Sequence, residues 1–152
     1  MIRRAGLKDL KSIMEITRDT IEKIYPRYYP RGAVDFFLSH HNIKNILEDI
    51  ESESVFLQVI NDKAVGTVTV KHNEICRLFV LPRYQGRGYG GELLEFAEAQ
   101  AAERSESTFL DASLPAKEIY FNHGYKVTAS HAILTENGDY LCYDVMVKLW
   151  NR

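Results

Sequence analysis

The sequence predicts an α+β fold in one domain: a mixed, mostly antiparallel central sheet of about six to seven strands with helices on both faces, in a three-layer α/β arrangement. Two observations predict it. Short runs rich in β-branched and aromatic residues are bounded by turn residues, as strands are. Longer segments repeat apolar residues at intervals of three or four, as amphipathic helices do. No repeat, linker or low-complexity segment interrupts residues 1–152, so we expect a single domain.

The first half of the chain is mainly helical. Met1–Ala5 is short enough for an edge strand, and from Leu7 onward apolar residues recur at helical spacing. This first helix should end just before Pro26, because proline disfavours helical geometry at the residue that precedes it. Two further helices are expected over residues 33–38 and 43–50.

A loop of tyrosines and arginines joins the first two helices, with the sequence Tyr-Pro-Arg-Tyr-Tyr-Pro-Arg-Gly over residues 25–32. Tyrosine supplies a flat surface with a polar tip, and arginine supplies a planar fork of donors. Such a mixture is typical of a ligand site, but also of a solvated connection whose rings cover the core. If the loop lines a site, the residues expected to contact the substrate are Tyr25, Tyr28, Tyr29 and Arg31.

The middle of the chain alternates between strands and one helix. Val55–Ile60, Ala64–Lys71 and Glu74–Val80 form an antiparallel meander with tight turns. The third strand leads into a glycine-rich loop and a helix over residues 90–104. The apolar strand Phe109–Ala112 follows that helix, so it should run parallel to the third strand.

The last third of the chain predicts one short helix and a hairpin. Pro115 suits the first position of a helix, and the glycine of Asn122–Gly124 suits its C-terminal end. Tyr125–Leu134 and Tyr140–Leu149 are strands joined by the turn at Glu136–Asp139. Because this hairpin leaves an exposed edge, a homodimer is one expectation.

Composition excludes several functional classes. A formal net charge of -2 gives no basic surface for nucleic acid. Cys76 and Cys142 lack the spacing of metal ligands, so we expect no metal. No run of 18 apolar residues occurs, and the N-terminus lacks the pattern of a signal peptide. We therefore expect no membrane span and a cytoplasmic protein.

The glycine-rich loop over residues 85–91 is the clearest candidate for a binding site. Backbone N–H groups at the start of a helix carry about half a positive charge, which suits a phosphate or pyrophosphate. Gly86, Gly88 and Gly91 also satisfy the dinucleotide pattern G-x-G-x-x-G, with Asp111 at a later strand end. The hairpins before the loop and the short chain after it do not match a doubly wound parallel sheet, which argues against a dehydrogenase. No Gly-Lys-Ser/Thr follows the glycines, so the loop is not a Walker A loop.

The chain resembles the GNAT (GCN5-related N-acetyltransferase) family. Residues 85–90 match the family's Q/R-x-x-G-x-G/A loop, and residues 116–125 are similar to its A-x-x-x-Y-x-x-x-G-Y/F segment. The resemblance spans nearly the whole chain and implies a GNAT-like acyl-CoA N-acyltransferase fold. It also implies transfer of the acetyl group of acetyl-CoA to a primary amine of a small molecule or protein, without a metal or an acyl-enzyme. The alternative is a non-catalytic acyl-CoA-binding module that regulates or binds a partner.

The resemblance further implies which residues bind the cofactor. The loop amides would hold the pyrophosphate, and the strand before the loop would offer backbone groups to the pantetheine arm. Ser113 stands where many members of the family carry an asparagine, and a hydroxyl can also donate or accept. The expected cofactor-binding residues are Leu78, Phe79, Val80, Gln85, Gly86, Arg87, Gly88, Tyr89, Gly90, Gly91, Ser113, Lys117 and Tyr120.

Two residues are candidates for catalysis. Tyr120 occupies the family's tyrosine position near the sulfur of CoA, where its hydroxyl can protonate the departing thiolate. Glu74 is the candidate base, with a chain of water molecules as the main alternative and His72 as a weaker one. By analogy with the family, the acceptor enters between the N-terminal helices and the last hairpin. The tyrosine- and arginine-rich loop favours a small or aromatic amine, with or without a carboxylate, over a polybasic one.

Overall fold

The computed structural model describes residues 1–150, which form one seven-stranded sheet in the order β1-β2-β3-β4-β5-β7-β6. All neighbouring strands are antiparallel except β4 and β5, which are parallel. The predicted mixed, mostly antiparallel sheet is therefore confirmed. The strands are β1 Ile2–Arg4, β2 Val55–Ile60, β3 Lys63–Lys71, β4 Glu74–Val80, β5 Ser107–Ala112, β6 Lys126–Leu134 and β7 Tyr140–Leu149. The helices are α1 Leu10–Ile24, α2 Arg31–His40, α3 Ile43–Glu51, α4 Tyr89–Ala102 and α5 Lys117–Asn122.

Each face of the sheet carries its own apolar core. On one face α1, α2 and α3 pack against β2 and the end of β4, and on the other α4 and α5 pack against β3, β4 and β5. Alternation along β2 separates the two cores, since Val55 and Leu57 join the first and Phe56 joins the second. Helices on both faces of the sheet were predicted, and this arrangement is confirmed.

Strand β4 contains a bulge just before the glycine loop. Thr67 of β3 pairs with Phe79, but Thr69 pairs with Cys76, so β4 has one residue more than its partner over this stretch. Arg77 lies in the bulge with φ of 46°, a left-handed conformation that is uncommon for a residue other than glycine. The extra residue brings Cys76 and Arg77 to the same side of the sheet, the side covered by α2 and α3.

The loop over residues 25–32 differs from its prediction. Tyr25–Arg27 forms a single 3₁₀ turn, and α2 begins at Arg31, two residues earlier than the periodicity predicts. The N–H of Gly32 donates to a carboxylate oxygen of Asp139 at 2.8 Å. A side chain at Gly32 would overlap Asn137, so glycine is required where α2 meets the turn between β6 and β7. The start of α2 is thus set by a contact between distant parts of the chain.

Two further findings concern the cysteines and the helices. Cys142, which lies in a strand, is exposed, while Cys76 is half-buried, and both are free thiols. Within residues 1–150 no helix combines the length and the apolar character needed to cross a membrane.

Candidate active site

The parallel strands β4 and β5 separate after a single pair of residues. Glu74 of β4 is in register with Phe109 of β5, and no later residue of β4 pairs with β5. Strand β5 remains fully paired with β7 on its other side. The end of β4 therefore has an open edge, and two cavities meet at this opening.

The first cavity, the loop cavity, lies between the end of β4, the glycine loop and α5. Its volume is about 320 Å³. The residues that line it are Thr20, Ile24, Tyr25, Leu78, Phe79, Val80, Gln85, Gly86, Gly88, Tyr89, Gly90, Gly91, Ser113, Pro115, Ala116, Ile119 and Tyr120. Most of the residues predicted to bind the cofactor are in this wall.

Backbone donors form one side of the loop cavity. Gly86 and Gly88 have φ of 77° and 90°, and Gly88 is the residue just before α4. The N–H of Glu92 is bonded to the carbonyl of Gly88, so the N–H groups of the three residues Tyr89–Gly91 have no acceptor within the helix. These donors and the helix dipole suit a phosphate group.

The junction between β4 and the loop is held by side chains. Gln85 Nε2 donates to the carbonyl of Val80 at 2.9 Å, and Thr20 Oγ1 of α1 donates to the same carbonyl at 3.2 Å. The N–H of Leu81 donates to Val65 of β3 at 2.8 Å. Because successive N–H groups of a strand point in opposite directions, the N–H of Val80 points away from β3, toward the opening.

The second cavity, the aromatic cavity, lies on the other side of the opening, between α2, the start of β4 and the last hairpin. Its volume is about 310 Å³. The residues that line it are Tyr25, Phe36, Phe37, His40, His41, Glu74, Ile75, Cys76, Arg77, Leu78, Phe79, Asp111, Ser113, Ala116, Tyr120, Ile133, Leu141 and Tyr143. The walls shared by the two cavities are Tyr25, Leu78, Phe79, Ser113, Ala116 and Tyr120.

Tyr120 lies at the junction of the two cavities. Its side chain is buried, with 6% exposed, and its ring packs edge-to-face against Tyr125 at 5.8 Å. Within residues 1–150 its hydroxyl makes no hydrogen bond. Burial, and secondarily the neighbouring Tyr25, raises the pKa of Tyr120 well above its usual value. The hydroxyl therefore keeps its proton and is available as a donor.

Glu74 lies at the first position of β4, in the wall of the aromatic cavity that also contains Tyr120. Its side chain is half-buried. Among the described residues it has no ion-pair or hydrogen-bond partner. A carboxylate with this freedom can accept a proton from a group that enters the cavity.

Four residues were predicted to contact the substrate, and the structure places one of them in the cavity walls and three outside them. Tyr25 lines both cavities, and its hydroxyl donates to Ser113 Oγ at 3.1 Å. Tyr29 lines neither, because its hydroxyl donates to the carbonyl of Cys142 and accepts from the N–H of Leu114. The other two also lie outside both walls, since Tyr28 is 51% exposed and Arg31 pairs with the acidic residues of α1 and α2.

The two cations that were predicted to bind the cofactor, Arg87 and Lys117, also lie outside both cavities. Arg87 is placed over the ring of Tyr84, with 5.3 Å between its guanidinium carbon and the ring centroid. Lys117 forms an ion pair with Asp144, and this contact lowers the pKa of the carboxyl group. Neither residue is in the wall of the loop cavity, although both flank it in sequence.

A buried ion-pair network supports the floor of the aromatic cavity. Arg77 Nη1 lies 2.9 Å from Asp49 of α3, and the two side chains are only 4% and 7% exposed. Lys71 pairs with the same carboxylate at 2.9 Å. Arg77 also donates to Thr69 and to Nδ1 of His41, both at 3.2 Å. The network joins α2 and α3 to the bulge of β4.

His41 should make the protein less stable in mild acid. Burial and the adjacent Arg77 lower its pKa to about 3, from 6.5. Below pH 6.5 the unfolded chain takes up a proton that the folded chain does not, so stability falls as the pH falls. Because His41 is only half-buried, we expect a loss of about 1 to 2 kcal/mol between pH 7.5 and pH 5.

Urea unfolding at pH 7.5 and pH 5 measures this loss. In His41→Gln the difference between the two pH values should shrink, whereas His72→Asn, at an exposed turn, should behave like the original chain. Asp9 and Asp144 have lowered pKa values, so their contribution is lost only below about pH 4 and does not enter this window. An unchanged pH dependence in His41→Gln would reject the assignment.

Several residues of the site were not predicted as part of it. Phe36, Phe37, His40 and His41 enter the aromatic cavity because α2 docks there, and no local pattern signals that contact. Asp111, which the sequence singled out only as part of the dinucleotide pattern, lines the same cavity. Arg77 had a detectable signal, since it interrupts an otherwise apolar strand. Across residues 1–150 no group of three or more His, Cys, Asp or Glu side chains is placed to hold a metal.

Comparison with known sequences identifies a family match. The model of the acetyltransferase (GNAT) domain matches residues 24–138 of this chain. An uncharacterized N-acetyltransferase of Archaeoglobus fulgidus is 31% identical over 119 residues, which are 68% of this chain and 75% of that protein. The range that the family model matches includes the glycine loop and Tyr120.

Solved structures show the same fold. A GCN5-related N-acetyltransferase from Rhodopseudomonas palustris superposes with a TM-score of 0.90 at 22% identity, over 98% of this chain and 94% of the other. The PaiA N-acetyltransferase of Thermoplasma acidophilum, solved with coenzyme A, gives 0.77 at 19% identity, over 99% and 98%. YncA of Salmonella typhimurium, solved with its cofactor acetyl-CoA, gives 0.74 at 19% identity, over 100% and 94%.

Proposed function

Because this chain belongs to the GNAT family of acetyltransferases, we propose that it moves the acetyl group of acetyl-CoA directly to a primary amine. One observation carries the proposal. A cavity with phosphate-binding donors and a second cavity with a free carboxylate meet at Tyr120, in the gap between β4 and β5. Such a gap admits two substrates from opposite sides without a covalent enzyme intermediate.

The loop cavity fits acetyl-CoA. The N–H groups of Tyr89–Gly91 suit its pyrophosphate, and the open edge of β4 suits its extended pantetheine arm. The N–H of Val80 points into the gap and would polarise the thioester carbonyl. Removing one such donor from other enzymes reduces the rate by about 10²- to 10³-fold.

Glu74 and Tyr120, the two side chains at the gap, carry out the proton transfers of the reaction. The amine arrives as an ammonium ion, because alkylamines have pKa values of about 10. Glu74 accepts its proton, the nitrogen then forms a bond to the carbonyl carbon, and the carbon–sulfur bond breaks. Tyr120 donates its proton to the leaving sulfur and regains one from the nitrogen, which still carries an extra proton after it bonds to carbon. The products are an amide and a free thiol, and Glu74 releases its proton to water.

The test of this function is an assay for thiol release. Incubation with acetyl-CoA and a panel of primary amines should release free thiol in proportion to acetylated amine. Absence of turnover with every amine and protein acceptor, in spite of tight acetyl-CoA binding, would favour the non-catalytic acyl-CoA-binding module. Absence of acetyl-CoA binding would contradict both.

Replacing Glu74 with glutamine should reduce kcat/KM about 10- to 100-fold at pH 7, because a positioned base is lost while water still accepts some protons. Activity should recover as the pH rises, since more of the amine then arrives without its proton. Binding of acetyl-CoA should not change. The matched control is Glu118→Gln, which makes the same change on α5 outside both cavities. Wild-type activity of Glu74→Gln at pH 7 would exclude Glu74 as the base.

A further inference from the structure

Eight of the eighteen described residues that line the aromatic cavity carry a ring. Tyr25 and Phe37 meet edge-to-face with 4.7 Å between centroids, and Phe36 stacks on His40 at 6.1 Å. Tyr143 of β7 also lines this cavity. Aromatic walls of this kind bind a flat apolar group by offset stacking and edge contacts. The volume of about 310 Å³ is at the small end of ligand sites, which span about 300 to 1,000 Å³.

The charges of this cavity favour a cation. Its carboxylates are Glu74 and Asp111, and neither has a partner among the described residues. Arg77 is the only arginine or lysine among the described residues of the wall. Its guanidinium is 4% exposed and pairs with Asp49, a carboxylate that it shares with Lys71. His41 carries no charge near neutral pH, because its pKa is lowered to about 3.

From these walls and charges we infer that the acceptor is an arylalkylamine: a primary ammonium group joined by a short chain to a flat apolar ring, with no carboxylate. The inference rests on the proposed acetyltransferase function and specifies its second substrate. Asp111 binds the ammonium, the rings of α2 and Tyr143 hold the aryl group, and Glu74 takes the proton. The composition of the loop over residues 25–32 favours a small or aromatic amine, with or without a carboxylate. The inference from the cavity is narrower, because it specifies an aromatic amine without a carboxylate.

A carboxylate on the acceptor is disfavoured for two reasons. It would lie near Glu74 and Asp111, and like charges in one cavity repel each other. The one arginine or lysine in the described wall is Arg77, and it is not available to a substrate carboxylate. It already pairs with Asp49 and donates to Thr69 and His41. A polyamine is disfavoured as well, because its further ammonium groups would be desolvated among the rings.

The experiment compares three probes in the thiol-release assay. Phenethylamine, phenylalanine and spermidine share a primary amine, and phenylalanine differs from phenethylamine only by its carboxylate. We expect kcat/KM for phenethylamine to exceed that for either of the others by at least about 10²-fold. Equal or better activity with phenylalanine or spermidine would overturn the inference while leaving the acetyltransferase function standing.

The variant Asp111→Asn tests the binding role. Its KM for phenethylamine should rise about 10-fold with little change in kcat, and the preference over phenylalanine should narrow, because one repelling charge is gone. Asp62→Asn, at the exposed turn between β2 and β3, is the matched control and should change neither value. An unchanged KM and preference in Asp111→Asn would contradict the assignment.

A binding measurement separates the two proposals. Calorimetry with the full chain saturated with CoA should detect phenethylamine binding that weakens about 10-fold in Asp111→Asn. If no amine is acetylated but this binding is present, the acetyltransferase function fails and the specificity of the cavity stands. If phenethylamine does not bind, the inference fails whatever the activity.

Discussion

Tyr120→Phe should lower kcat about 10²- to 10³-fold while acetyl-CoA binding and stability remain close to those of the original chain. The change removes only the hydroxyl that donates a proton to the leaving sulfur, and general acids contribute about 10²- to 10⁴-fold. The ring would keep its contact with Tyr125. Stability should be nearly unchanged, because the Tyr120 hydroxyl makes no hydrogen bond within residues 1–150. Steady-state kinetics and thermal unfolding measure the two effects.

Tyr125→Phe is the matched control. The ring of Tyr125 contacts that of Tyr120, but its hydroxyl supports stability and not catalysis. The Tyr125 hydroxyl donates to Glu98 at 3.0 Å and shares a hydrogen bond with Thr108, and it lines neither cavity. Its removal should reduce the free energy of unfolding by about 1 to 2 kcal/mol and leave kcat unchanged. A wild-type kcat in Tyr120→Phe would remove Tyr120 from the mechanism.

The raised pKa of Tyr120 predicts how kcat depends on pH on the alkaline side. Because burial raises this pKa well above its usual value, the acid stays protonated throughout the neutral and mildly alkaline range. The alkaline side of the profile should therefore show no loss of rate from Tyr120. A fall in kcat between pH 8 and pH 9 that disappears in Tyr120→Phe would contradict the assigned protonation state.

Asp49→Ala should reduce the free energy of unfolding by about 3 to 5 kcal/mol, the largest stability effect that we expect from one substitution. The side chains of Asp49 and Arg77 are 7% and 4% exposed, so removal of the carboxylate leaves a buried guanidinium without its counter-charge. Lys71 loses the same partner, but its side chain is half exposed and water can replace the contact. Urea unfolding measures the change.

The control for Asp49 is an exposed pair. Asp35 pairs with Arg31 at 2.9 Å, but its side chain is 57% exposed, so Asp35→Ala should cost no more than about 1 kcal/mol. Replacing Arg77 by methionine in the Asp49→Ala chain should restore part of the loss, because no unpaired buried charge then remains. A change of less than about 1 kcal/mol in Asp49→Ala would show that solvent reaches Arg77 after all.

Much of the site was predictable because its signals are local. The glycines that begin α4, the strand that precedes them and the segment around Tyr120 lie within about 50 residues of one another, and each has a recognisable pattern. Of the predicted substrate residues, only Tyr25 reaches the cavity walls. Composition indicates that a loop can bind a ligand, but it does not indicate the direction in which the loop faces.

The amino-acid sequence by itself determined the order of the strands and helices, the meander before the glycine loop and the parallel return after it. These features depend on apolar period, turn residues and backbone sterics, which act over a few residues. Only the tertiary structure decided the gap between β4 and β5, the bulge at Arg77 and the docking of α2 over the aromatic cavity. Each of these depends on partners far apart in the chain, such as Arg77 with Asp49 or Gly32 with Asp139, which no local pattern can pair.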